Sequence, residues 1–248
     1  VEVTELVVSQ HLLPHLDRHG FLGGRSYDVL VTRPPLAGIQ AALDSARARW
    51  PERSSLGDFR VDKDHVNDER DALDRARHLY TPNAAVAPEY ASKTTVIPWV
   101  VADRVPRLSP RGEGQPVIHF PGSTIARLGV CALREAIQGL DVTLQIAGRN
   151  LEEPSFWDGV RWRSGQALDD VDLVVFPAWL PHNPRVLLQA IARGIPVIVS
   201  ERLGLGGLDG VTEIPCGDVD ALRAAIQAQL ERPSSPVVVA ETHPVTWL

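Results

Sequence analysis

The chain has 248 residues, 44% hydrophobic and 23% charged, with 25 basic against 31 acidic side chains and a net charge of -6. That balance excludes disordered, collagenous and coiled-coil classes and suits one large domain or two small ones. It also argues against a nucleic-acid partner, because no basic excess exists to neutralise phosphates. The longest apolar stretch, near residues 96–102, is too short to span a bilayer, and no signal-peptide pattern is expected. Cys131 and Cys216 fit neither a disulfide framework nor zinc-ligand spacing, so a reducing, cytoplasmic setting is the expectation.

In chain order, residues 28–32 read as a strand and 36–50 as a helix stopped by Pro51. A polar connection covers 51–60. Residues 67–77 predict a helix, and the charges of 62–77, alternating in sign, read as a solvated face. A brief strand at 78–80, a helix at 84–91 and a strand at 94–100 follow. Two prolines and two glycines within 103–115 mark an interdomain linker.

The second half is more regular. Strands are expected at 117–120, 142–147, 160–163, 171–176, 196–200 and 211–214, and helices at 125–137, 184–193 and 218–230. Pro184 suits a first helical turn, Gly194 a C-cap and Asp218 an N-cap. Strands alternate with helices and are apolar on both faces, which predicts a parallel sheet covered on both sides. The fold class is α/β: a Rossmann-like doubly wound domain over 108–232, a shorter Rossmann-like unit over 1–107, and a tail over 233–248.

In open parallel sheets ligands bind beyond the carboxyl ends of the strands, and helix N-termini there favour anions. A phosphate-bearing ligand is the physical default. Two other motifs fail. The run Gly204-Leu-Gly206-Gly207 is followed by a strand where a dinucleotide loop needs a helix, and no P-loop occurs. His11, His15 and His19 recur every four residues, but Pro14 interrupts them and no carboxylate or cysteine completes a metal set. No metal and no cofactor is expected. Cys131 belongs to the apolar stripe of its helix and reads as core.

Several segments carry a resemblance. "HLYTPNAAVAPEYASKTTVIPWVV" (78–101) resembles the end of the N-terminal domain in the GT-B glycosyltransferases of the large family 4 (glycosyl transferases group 1). "GSTIARLGVCALREAI" (122–137) resembles their first C-terminal β–loop–α unit. "VDLVVFPAWLPHNPRVLLQAIARGIPVIVS" (171–200) is similar to their central donor-binding unit, and "GDVDALRAAI" (217–226) to their last long helix. "HPVTWL" (243–248) looks like the start of the segment that crosses back to the first domain. The resemblance implies a GT-B-like fold of two Rossmann-like domains, the N-terminal one short. It also implies transfer of a sugar from a nucleotide-diphosphate sugar to an acceptor hydroxyl.

The chain departs from the family's donor motif at four positions. Ser123 and Leu128 stand where the family has an arginine and a lysine for the diphosphate. Pro181 and Gln189 stand where it has two glutamates. If a donor binds, Ser123 and Thr124 offer hydroxyls and amides to phosphate, and Arg127 or Arg185 supplies charge. Trp162 and Arg163 look like the strand end whose backbone reads the base. His182 and Asn183 flank the lost glutamate, Gln189 can still bond a ribose hydroxyl, and Glu201 is the nearest surviving carboxylate. No residue is assigned as catalytic. The departures motivate a second reading, a non-catalytic relative that binds a nucleotide weakly or serves as a partner subunit. Sugar-nucleotide 2-epimerases share the fold but need several carboxylates at the cleft, for which only Glu201 and Glu113 are candidates.

Overall fold

The computed structural model describes residues 5–102, 114–180 and 183–232. The expected linker core, the crossing tail over 233–248, Glu113, Pro181 and His182 lie outside them.

The first sheet is built from β1 (Glu5–Ser9), β2 (Ser26–Leu30), β3 (His78–Thr81) and β4 (Thr94–Val96), parallel and in that spatial order. Three helices accompany it: α1 (Leu13–Arg18), α2 (Leu36–Arg49) and α3 (Lys63–Arg75). β1 and α1 are additions to the expected pattern. Pro14 is compatible with α1 because it occupies the first turn, where no intrahelical N–H partner exists. β2 begins two residues earlier than expected, since Arg77 grips Asp28 with two bonds of 2.8 and 2.9 Å and lets that carboxylate sit inside the sheet. α3 also starts earlier, capped by Asp62, whose Oδ1 accepts the His65 amide at 2.7 Å. Its face is not wholly solvated: Glu69 is buried and accepts from Arg33 (2.7 Å) and the Leu36 amide (2.5 Å). In place of the helix expected at 84–91, a 3-10 stretch at Ala87–Lys93 is broken at Tyr90, and β4 stops before Pro98, which has no N–H to give.

The second sheet has six parallel strands: β5 (Val117–Phe120), β6 (Thr143–Ile146), β7 (Trp162–Ser164), β8 (Leu173–Phe176), β9 (Val197–Ser200) and β10 (Val211–Ile214). Their order is β10-β9-β8-β5-β6-β7. Helices α4 (Val130–Ile137), α5 (Arg185–Ala192) and α6 (Val219–Leu230) complete it, and Asp218 caps α6 by accepting the Ala221 amide at 2.9 Å. The helix expected over 125–137 is divided. A 3-10 turn at Ala126–Leu128 ends at Gly129, which is left-handed at φ 85°, and only then does α4 begin. A Cβ at Gly129 would lie 2.1 Å from the Pro177 carbonyl oxygen, so glycine alone lets the β5 and β8 loops approach this closely.

The first sheet's inner face has its own small core around Tyr27, Val29, Leu73 and Leu79. The larger core is shared. Ile39, Leu43 and Ala46 of α2, with Trp50 and Leu56 just after it, are buried in one cluster with the β5 and β8 strands and α4. Each large apolar side chain so buried contributes about 1.5–3 kcal/mol. Helix α2 therefore belongs to the first sheet by connection and to the second by packing.

Candidate functional site

Strand order reverses at β5, which has β6 on one side and β8 on the other, so the crevice beyond the carboxyl ends of β5 and β8 is the expected ligand position. Ser123, Thr124 and Arg127 follow β5; Trp162 and Arg163 lie on β7; Asn183, Arg185 and Gln189 follow β8; Glu201 follows β9. Ser123, Thr124, Asn183 and Glu201 lie beyond the carboxyl ends of their strands, whereas Trp162 opens β7 and Gln189 stands a turn into α5.

The β5 loop is held from above by the loop after β6. The Ser123 hydroxyl accepts the Arg149 amide at 3.2 Å. Thr124, fully buried, donates to Asn150 Oδ1 at 2.6 Å and accepts the Leu151 amide at 2.8 Å, while its own N–H donates to the Arg149 carbonyl at 3.0 Å. A Cβ at Gly148 would stand 2.3 Å from the Ser123 nitrogen. The two hydroxyls expected to meet phosphate are thus engaged with the protein's own groups.

The charged group of this loop is covered from the other side. Arg127 lies under the Phe59 ring at 4.3 Å, with the Asp58 carboxylate 3.9 Å from its guanidinium. Burial pulls the Arg127 pKa down, partly offset by Asp58. The Ala126 N–H, at the start of the helical turn, donates to Ser55 Oγ at 3.2 Å. Beside it Arg53 bonds Glu152 (3.2 Å) and Glu153 (2.7 Å) and stacks on Phe156 at 4.9 Å. Burial pushes the Glu152 pKa up, with Arg53 opposing. Trp50 closes the remaining side: its indole N–H donates to Glu135 at 2.7 Å and its ring meets Trp179. None of these covering residues carries a signature in the sequence, where 51–60 reads only as a polar connection. The Trp50-Pro51 pair at a helix end is the sole local mark.

The other candidates are disposed differently. Arg163 donates to Gln145 Oε1 at 3.1 Å and pairs with Asp170. Gln145 in turn donates to Nδ1 of fully buried His119 at 3.1 Å, whose Nε2 finds no hydrogen-bond partner among the described residues. Burial lowers the His119 pKa to about 4, with the Asp170 charge opposing. Asn183 Oδ1 accepts the Arg185 amide at 3.0 Å in a local turn just before α5, whose N-cap is Pro184. Arg185, Gln189 and Glu201 are exposed. The Ser200 hydroxyl just before Glu201 donates to the Ala178 carbonyl at 2.5 Å and ties the β9 loop to the β8 loop.

Two cavities, of about 240 Å³ against Glu69, Arg70 and Tyr90 and about 400 Å³ beside β1, border none of the candidate residues. No cluster of His, Cys, Asp and Glu able to hold a metal occurs among the described residues; the His15 and His19 rings meet at a tilt of 39°, centroids 4.3 Å apart. No helix of the described residues is long and apolar enough to cross a membrane.

No protein-family model matches the sequence, and no curated protein matches it. Solved structures do. A sucrose-phosphate synthase from Thermosynechococcus elongatus superposes with a TM-score of 0.61 at 16% identity, over 92% of this chain and 64% of the other. Anabaena HepE in complex with UDP gives 0.55 at 15% identity, over 91% and 69%. The lipopolysaccharide outer core galactosyltransferase WaaB gives 0.50 at 13%, over 89% and 70%. The chain spans less than two thirds of the synthase's length, and the likeness establishes the GT-B fold.

Proposed function

We propose that the chain is a glycosyltransferase that takes a nucleotide-diphosphate sugar at the crevice between the β5 and β8 loops and transfers the sugar to an acceptor hydroxyl. The observation that carries this reading is Arg127. It is a desolvated guanidinium at the switch point of a GT-B-fold sheet, beside a helical-turn amide, with an exposed carboxylate at 3.9 Å as its ion-pair partner. A diphosphate would meet it through shorter, charge-assisted bonds, which are about twice as strong as neutral ones. The solved HepE structure that this chain resembles is a complex with UDP, in support of a nucleotide in this fold.

In this reading the chain's own groups act electrostatically. Arg127 and the Ala126 amide stabilise charge on the departing diphosphate, and Arg185, at the start of α5, adds a second cation from the β8 side. Gln189 stands one helical turn further along α5 for the ribose, and Trp162 and Arg163, the residues suggested for the base, open β7.

A second reading has a specific observation in its favour. Ser123, Thr124 and the Ala126 amide are already bonded within the protein, as expected of a non-catalytic relative that keeps the scaffold. Release of nucleoside diphosphate from a panel of nucleotide sugars separates the two, since hydrolysis of the donor needs no acceptor. Release with one donor, reduced at least tenfold by Arg127→Ala, supports the transferase. Release with none under any condition favours the non-catalytic relative.

A further inference from the structure

We infer that residues 53–59 are an internal strap: they occupy the anion cradle of the β5 loop in the free protein and lift to admit a diphosphate. The inference rests on the donor-site reading above and names how that site is controlled.

The strap is anchored at its middle and at its far end. Leu56 is fully buried in the shared core. Gln40 of α2 donates to the Phe59 carbonyl at 3.0 Å, and Arg60 pairs with Asp44 at 2.6 Å. Phe59 has φ 62°, the one non-glycine residue with positive φ among the described residues. An aromatic residue in the left-handed region is held there at a conformational cost. The ring that bears this strain is the one that covers Arg127.

The strap presents to the cradle a neutral and an ionised oxygen. Ser55 Oγ takes the Ala126 N–H and the Asp58 carboxylate faces Arg127. Together they offer one hydroxyl and one carboxylate where a diphosphate would offer several anionic oxygens. Both contacts are long, 3.2 and 3.9 Å, and Asp58 is 59% exposed, so solvent screens its attraction to Arg127. A strained, weakly paired occupant is what a stronger anion can displace. A Cβ on Gly57 would meet nothing closer than 3.9 Å, so the strap has room to turn there.

The test is arginine modification by phenylglyoxal on the full chain, read residue by residue by mass spectrometry, with exposed Arg161 as internal reference. In the unaltered protein Arg127 should react at least tenfold more slowly than Arg161. In Asp58→Asn/Phe59→Ala, which removes the carboxylate and the covering ring but keeps a Cβ at the left-handed position, it should approach the Arg161 rate. That variant should also bind UDP, GDP, ADP or dTDP about tenfold more tightly than the unaltered protein. If Arg127 reacts as fast as Arg161 without substitution, there is no strap, whatever the nucleotide result. If Arg127 is protected and then freed but the two proteins bind a nucleotide equally, the contact exists and gates nothing, which also overturns the inference. If neither protein binds any nucleotide, the donor-site reading fails and takes the gate with it. Circular dichroism on the variant checks that it remains folded, and Phe59→Ala alone provides the second, milder variant.

Discussion

Trp50 and Trp179 meet edge to face, ring centroids 6.1 Å apart and planes at 80°, although one ends a helix of the first sheet's half and the other follows β8 of the second. Trp50 is 7% exposed and its indole N–H donates to Glu135. Removing the ring leaves a cavity in the shared core and an unpaired carboxylate. Trp50→Ala should therefore destabilise the protein by about 3–5 kcal/mol, read from the urea midpoint. A loss below about 1 kcal/mol would mean that the two halves are not joined through this contact.

The approach of the β5 and β8 loops depends on Gly129. Gly129→Ala must hold a Cβ at φ 85° and against the Pro177 carbonyl, whereas Gly139→Ala meets the same left-handed penalty, at φ 79°, in open space. Gly139→Ala should cost about 1 kcal/mol and Gly129→Ala several times more. Thermal unfolding of the two variants side by side checks the ordering, and equal costs would contradict the close packing.

His119 makes stability depend on pH. Its folded pKa, near 4, lies below its ordinary value of 6.5, so the unfolded chain takes up the proton first. The benefit of keeping it neutral is complete above 6.5 and is lost as pH falls toward 4. The stability difference between the unaltered protein and His119→Gln should shrink steadily from pH 7 to pH 4.5. A difference that stays constant over that range would contradict the burial of a neutral imidazole.

Asp28 acts at lower pH. Hydrogen bonding from Arg77 holds its carboxyl below the usual carboxylate value, while burial opposes. A depressed carboxylate stabilises fully above the unfolded pKa of about 3.9 and loses that contribution as pH falls through the folded one. Arg77→Gln should lower stability at pH 7 and narrow the gap between pH 7 and pH 3, by chemical denaturation. An unchanged gap would show that the pair adds nothing to the sheet.

The second sheet is legible in the sequence because its central strands are short apolar runs, such as LVVF at 173–176, and its last helix announces itself with Asp218. The break at Gly129 is not, since the apolar spacing of Ile125, Leu128, Cys131 and Leu133 continues across it. Only the Pro177 carbonyl, far along the chain, makes that glycine necessary. β1 is hidden because it lies at a sheet edge where apolar Val7 is 76% exposed, so the sequence ELVVS does not alternate polar with apolar although its burial alternates. The candidate residues can be placed on loops from the sequence, but what occupies the crevice cannot. Ser55, Asp58 and Phe59 act through contacts with residues of the β5 loop, in the other half of the chain, and nothing in their local spacing marks them.

The most direct measurement is a thermal shift with UDP, GDP, ADP and dTDP, on the unaltered protein and on Asp58→Asn/Phe59→Ala. A nucleotide at a hundred times its Kd adds about 2.7 kcal/mol, on the order of a 5–10 °C rise in Tm for a chain of this size. A donor site under the strap predicts such a rise with one nucleotide, reached at a lower concentration in the strap variant. No rise in either protein at millimolar nucleotide would contradict a donor site between the β5 and β8 loops.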